Sequence, residues 1–150
     1  MSTIIEVATR EIGTKENPPN SNVVKYSNWF GLPHLAWCGQ FVSWVYNQAG
    51  VPLPAIGYKK GFAGCQSAVA YFQKNNKITT EPIEGDIVFY DWNNDKRYDH
   101  TGLFVKWLDD KKITFQSIEG NTSLGNDSNG GEVMQRTRDK IKNHAIFVHP

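Results

Sequence analysis

Four residues of this 150-residue chain could do chemistry together: Cys38, His100, Glu119 and Asn121. A thiol attacks a carbonyl only as thiolate, and a free cysteine with a pKa of about 8.5 is mostly protonated at neutral pH. A helix N-terminus and a neighbouring imidazolium both lower that value. Cys38 stands where an amphipathic helix begins, with no Ser, Thr, Asp or Asn just before it to cap the first turn. The first N–H groups are therefore expected free, for the thiolate or for a substrate oxyanion. An early cysteine, then a histidine, then a polar or acidic residue is the order in which an amide-cleaving thiol hydrolase supplies nucleophile, base and orienter. The competing reading is that Cys38 is a small buried core residue, since free cysteine is commonly buried.

Four histidines are available as the base: His34, His100, His144 and His149. His34 lies in a proline-containing loop, and His144 and His149 flank the last predicted strand. His100 opens the apolar run Leu103 to Val105, so a rigid element can hold its ring beside an accessible loop. Glu119 or Asn121 would orient the second ring nitrogen if the two strands are neighbours, and these residues leave the choice between them open. Cys65 also begins a helix, after Gly64, and is read as structural.

The segment Asp91 to Asp99 has a separate pattern. Asp91, Asn93, Asp95, Arg97 (through its carbonyl) and Asp99 alternate along the chain as oxygen donors do in an EF-hand loop, which makes calcium plausible. Lys96 stands where that loop needs glycine, and Gly102 where it needs a bidentate glutamate, so this is not an EF-hand. A polar hairpin turn is the alternative.

Positioning these groups requires a scaffold, and the apolar periodicity supplies one. Thr3 to Ile12 predicts a helix with Ser2 or Thr3 as N-cap and Gly13 past its end. A turn cluster at Asn17 to Asn22 precedes a short helical stretch carrying Tyr26, Trp29 and Phe30. From Cys38, the residues Phe41, Val42, Val45 and Ala49 form an apolar stripe stopped by Gly50 and Pro52. Cys65, Ala68, Val69 and Phe72 repeat it up to Asn75. After Pro82 the period changes to strands at Ile87–Tyr90, Leu103–Trp107, Ile113–Ile118, Val133–Thr137 and Ala145–Val148. Helices first and an antiparallel sheet second define an α+β domain.

Composition sets the remaining bounds. The hydrophobic content of 39% with 13% aromatics is that of one globular domain, and a formal charge of +1 gives no electrostatic basis for nucleic-acid binding. Met1 to Arg10 hold charge early and only a broken apolar run, which predicts neither a secretory signal nor a membrane span. Synthesis in a host cytoplasm and two free thiols are expected accordingly.

Several blocks together resemble a known family. They are Asn22, Lys25-Tyr26, Trp29, Gly31, Trp37-Cys38, Phe41-Val42-Ser43-Trp44 and Ala49-Gly50, followed by Gly85-Asp86-Ile87-Val88-Phe89, Asp99-His100-Thr101-Gly102, Ile118-Glu119-Gly120-Asn121-Thr122 and the closing Pro150. In order and separation this resembles the CHAP domains of phage lysins and bacterial wall hydrolases, over nearly the whole chain. The resemblance implies one papain-like domain over residues 1–150, N-terminal helices packed on a C-terminal antiparallel sheet. It also implies a peptidoglycan hydrolase, either an N-acetylmuramoyl-L-alanine amidase or a D-alanyl-glycyl or cross-bridge endopeptidase. Cys38 would be the nucleophile, His100 the base and later acid, and Glu119 and Asn121 their polar partners. Relatives with an acidic loop before the histidine favour structural calcium at Asp91 to Asp99, and no organic cofactor is implied. Gln40, Trp37 and Trp92 are expected against substrate, although Trp29 and Trp37 also read as core and Trp92 as exposed. A monomeric domain acting on the wall after release, or as part of a phage particle, follows. The alternatives are a thiol amidohydrolase acting on a non-wall amide, and a calcium-stabilised wall-binding module without turnover.

Overall fold

The computed structural model describes residues 2–150. Four helices precede a sheet, as the change of period predicts. Helix α1 spans Ile4–Glu11 and is opened by a capping box: the Thr3 hydroxyl accepts from Glu6 N at 3.1 Å while the Glu6 carboxylate accepts from Thr3 N at 3.3 Å. Helix α2, Lys25–Phe30, ends at Gly31 in the left-handed region with φ 95°. Helix α3 spans Cys38–Gln48 and α4 spans Cys65–Lys74. Among the described residues no helix is long and apolar enough to cross a membrane.

The strands are β1 (Ile78–Thr79), β2 (Ile87–Tyr90), β3 (His100–Trp107), β4 (Thr114–Thr122), β5 (Glu132–Asp139) and β6 (Ile146–Val148). They form one antiparallel sheet in the order β1-β6-β2-β3-β4-β5. The fold is therefore the expected α+β arrangement. β1 has no counterpart in the sequence reading: two residues carry no periodicity, and it exists only by pairing with β6.

Strand alternation divides the sheet between two cores. Ile87, Phe89, Leu103 and Ile118 join the helices' Phe41, Val42, Val45 and Phe72 on one face. Val88, Tyr90, Phe104, Phe115 and Phe147 form an aromatic cluster on the other. Helix α3 lies across β3 and β4, the central contact of the domain.

That contact is set by Gly120. A Cβ there would stand 2.7 Å from Phe41 Cβ and 2.8 Å from Trp37 Cζ3, so only a hydrogen lets α3 seat at this depth. Both neighbours are fully buried and have no room to yield. Gly120→Ala is expected to lower folding stability by about 1–3 kcal/mol, the usual cost of overpacking. Urea denaturation measures this, and a midpoint equal to the wild type would show that the seam can widen freely.

Candidate active site

The start of α3, the start of β3 and the end of β4 bring Cys38, His100 and Glu119 together in a buried line. His100 and Glu119 are fully buried, and Cys38 is 5% exposed. His100 Nε2 lies 3.0 Å from Glu119 Oε1. The remaining ring nitrogen, Nδ1, is buried without a hydrogen-bond partner, and Cys38 is close enough to raise the proton affinity of the ring.

Glu119 decides the tautomer. Its Oε1 accepts from His100 Nε2 and from Arg138 Nη2 at 2.6 Å, and its Oε2 accepts from Tyr90 OH at 2.9 Å, Arg138 Nε at 3.0 Å and Ser117 Oγ. A carboxylate receiving five donors, two of them from the Arg138 guanidinium, is held ionised: burial pushes Glu119 up, but His100 and Arg138 bring it well below the usual range. An ionised carboxylate only accepts, so Nε2 carries a proton and Nδ1 is the nitrogen that exchanges one with the thiol.

The electrostatics favour a thiolate–imidazolium pair. A hydrogen bond from Cys65 is the largest influence lowering Cys38, and it outweighs burial with help from His100 and the Thr101 N–H. Burial alone would depress His100, but Cys38 and Glu119 raise it to about 9. Cys65 moves the opposite way, pushed up by its bond to Cys38 and by burial, and so stays a neutral donor. The α3 N-terminus has no side-chain cap, as its sequence predicts, and the thiol sits on its first turn.

Glu119 and Asn121, two apart in a strand, would ordinarily share a face. The β4–β5 register breaks between Glu119 and Thr122, and Asn121 takes φ 60°. Asn121 Nδ2 donates to Asn129 Oδ1 at 3.2 Å and Ser128 O at 3.4 Å, and its Oδ1 accepts from Gly131 N at 3.3 Å. Asn121 thus pins the loop over residues 122–131, and Glu119 alone orients His100.

The expected substrate contacts divide. Trp37 is fully buried, stacked on Tyr26 at 5.5 Å and donating Nε1 to Glu16 Oε2 at 2.9 Å, so it is core and offers no face to a ligand. Gln40 is also fully buried, its Nε2 donating to Leu32 O at 3.3 Å while its Oε1 has no hydrogen-bond partner. Both are buried for one reason: the helix start that places Cys38 turns these neighbours inward. Trp92 is half-buried and stacks at 5.4 Å on His100, so it borders the site. Trp29, read as core, is half-buried beneath Lys60 Nζ. Two surface cavities of about 410 Å³, beside His149 and beside Ile4, contain neither Cys38 nor His100, so the chemistry and not cavity size marks the site.

In the Asp91 to Asp99 loop the oxygens serve the backbone. Asp91 accepts from Asp95 N at 3.1 Å and Lys96 N at 2.8 Å, Asp95 from Arg97 N at 2.9 Å and Asp99 from Trp92 N at 2.8 Å. Asn93 and Arg97 are exposed. Among the described residues no three His, Cys, Asp or Glu side chains converge as a metal site.

A family model for the CHAP domain matches residues 28–121, more than half of the chain. The chain belongs to the CHAP domain family. No curated protein matches it. The family carries amidase or peptidase activity with peptidoglycan-related substrates, and this CHAP domain is accordingly a hydrolase by family. The matched segment holds Cys38, His100 and Glu119 and stops before Arg138. Sequence reasoning missed Arg138, and also the contact between Cys65 and Cys38. Arg138 gives no signal in a strand of alternating polar residues, whereas the shared position of both cysteines at helix starts was visible.

Gly102 explains the last residue of the Asp99 to Gly102 motif. A Cβ there would stand 2.5 Å from Glu119 Cγ, on the path of the side chain that reaches His100. Gly102→Ala is expected to displace Glu119 and reduce turnover at least tenfold while the protein stays folded, as activity with circular dichroism would show; full activity would mean that Glu119 need not hold this position. Alkylation of Cys38 against pH tests the ion pair. Reactivity should persist well below pH 8.5 in the wild type, and His100→Ala should move the midpoint upward, toward that of an ordinary thiol at about 8.5. Identical profiles would leave the thiol without an imidazolium partner.

Proposed function

We propose that this CHAP domain hydrolyses an amide bond of bacterial peptidoglycan with Cys38 as its nucleophile. The observation that carries the reading is the buried line Cys38–His100–Glu119 at an uncapped helix start. With Cys38 lowered and His100 raised to about 9, the resting state is thiolate and imidazolium, so attack needs no prior proton transfer.

In this mechanism Cys38 Sγ attacks the amide carbonyl carbon and negative charge develops on its oxygen. The first-turn N–H groups of α3, which have no side-chain cap, are the oxyanion donors in this reading, each worth on the order of 3 kcal/mol in the transition state when aimed at the oxyanion. His100 Nδ1 then gives its proton to the leaving amine, the C–N bond breaks, and an acyl thioester remains on Cys38. The same nitrogen, now neutral, takes a proton from water as the water attacks the thioester, restoring thiolate and imidazolium. Glu119 stays ionised throughout and holds the ring. Trp92, stacked on the base, is the aromatic face available to a sugar or stem peptide.

Calcium is a separate proposal. A cation at Asp91 to Asp99 would share those carboxylates with the four backbone donors that they now accept. Its role would be confined to the loop leading into His100, because a thiolate needs no metal-activated water. The amide cut, whether lactyl to L-alanine or within the stem or cross-bridge, is read from product masses.

The deciding experiment is mass spectrometry of fragments released from purified peptidoglycan of several wall types, with calcium and with chelator. The wild type is expected to create new amine termini, and Cys38→Ser to lower release at least a thousandfold, the scale on which losing a nucleophile acts. Equal release by Cys38→Ser would reject the nucleophile. Wall retention without release would favour a binding module, and release indifferent to chelator would reject a calcium requirement.

A further inference from the structure

Arg138 lies on β5, beyond the segment that matches the family, yet it donates to both carboxylate oxygens of Glu119. We infer that Arg138 is a positioning residue for the reaction: its guanidinium fork fixes the Glu119 carboxylate against His100 and supplies the charge that lets the buried thiolate–imidazolium pair form. This rests on the proposed role of Cys38.

The geometry is that of a two-pronged clamp. Arg138 Nη2 donates to Glu119 Oε1 at 2.6 Å and Nε to Oε2 at 3.0 Å, so both oxygens are fixed and the carboxylate plane cannot rotate. Oε1 is the same atom that accepts from His100 Nε2. Rotation of the carboxylate would therefore release the imidazole. The guanidinium is itself held: its carbon lies 5.3 Å from the Tyr90 ring and 5.5 Å from the Trp92 ring, and its Nη1 donates to Asp127 Oδ1 at 3.1 Å. Arg138 is 6% exposed.

Charge gives the second part. The thiolate of Cys38, the imidazolium of His100, the carboxylate of Glu119 and the guanidinium of Arg138 sum to zero. Without Arg138 the buried set carries one net negative charge, which a low-dielectric interior disfavours and which a proton would neutralise. The other titratable groups facing the thiol and the ring are Cys65 from α4, Tyr90 from β2 and Asp99 from the loop before β3; Asp127 reaches the cluster through Arg138. Cys65 and Tyr90 can be only neutral or anionic and are held neutral, so they neither add charge nor replace the lost cation.

Removing a cation raises the proton affinity of every group near it. Iodoacetamide alkylation of Cys38, followed by peptide mass spectrometry from pH 4 to 10, measures this without any substrate, so its outcome is independent of whether peptidoglycan is the target. Arg138→Met is expected to shift the acid limb upward by at least one pH unit. Arg138→Lys, which keeps the charge but has no fork, should shift it by less than half as much and still reduce kcat on whichever wall substrate is cleaved. Asp127→Asn, at a half-exposed position, should move the limb the other way, because it removes an anion that partly neutralises Arg138. A Met profile that coincides with the wild type overturns the inference, as does a Lys profile displaced as far as Met. If Arg138→Met does not fold, Asp127→Asn decides: a limb that stays in place or moves upward overturns the role of Arg138.

Discussion

The site depends on one buried carboxylate. Glu119 lies on the sheet with no exposure to solvent, where an unpaired charge would be strongly disfavoured, and it is ionised only because five donors converge on it. Those donors come from β2, β3, β4 and β5, so four adjacent strands are committed to the geometry of one side chain. The commitment runs in both directions. Once Glu119 is fixed and ionised, His100 has one tautomer and one ring plane, and Nδ1 faces the start of α3. Groups held in this way are placed before any substrate arrives, which leaves little to reorganise in a transition state.

The helix is brought to that line by the absence of two side chains. Gly120 lets α3 approach β4 until Phe41 and Trp37 touch the strand backbone, and Gly102 opens the path along which Glu119 reaches His100. Burial here is a consequence of the chemistry's geometry as well as of hydrophobicity. The apolar stripe of α3 draws it onto the sheet, and the first turn of the same helix then delivers Cys38 with its N–H groups uncapped. Trp37 and Gln40, flanking Cys38, go inward for the same reason.

Much of this was legible in the sequence because it follows from short-range patterns. The apolar spacing from Cys38 to Ala49 and the cap at Thr3 placed helices within a residue or two, and the change of period after Pro82 announced the sheet. His100 was separable from the other histidines because it alone opens a long apolar strand. The choice between Glu119 and Asn121 was not legible, since regular alternation puts both on one face; it is settled by a register break and a left-handed residue, features that arise from pairing with β5. Arg138 was invisible for a related reason. A lone arginine among Glu132, Arg136 and Asp139 looks like a solvated strand face, and only the sheet order sets it beside Glu119.

The two cysteines extend this reasoning to the nucleophile itself. Both begin helices and both are buried, yet they titrate in opposite directions. Their proximity explains this: once one sulfur is a thiolate, its charge makes ionisation of the other unfavourable. Two helix starts meeting at one point would otherwise favour two anions, and a second thiolate would add a negative charge that the cluster has no cation to balance. Keeping Cys65 protonated preserves the neutrality of the four charged groups and gives Cys38 a donor that a purely apolar neighbour would not supply. The position that reads as structural in the sequence therefore contributes to the site by remaining uncharged, and the reactivity of Cys38 is set by α4 as well as by the strand that carries its base.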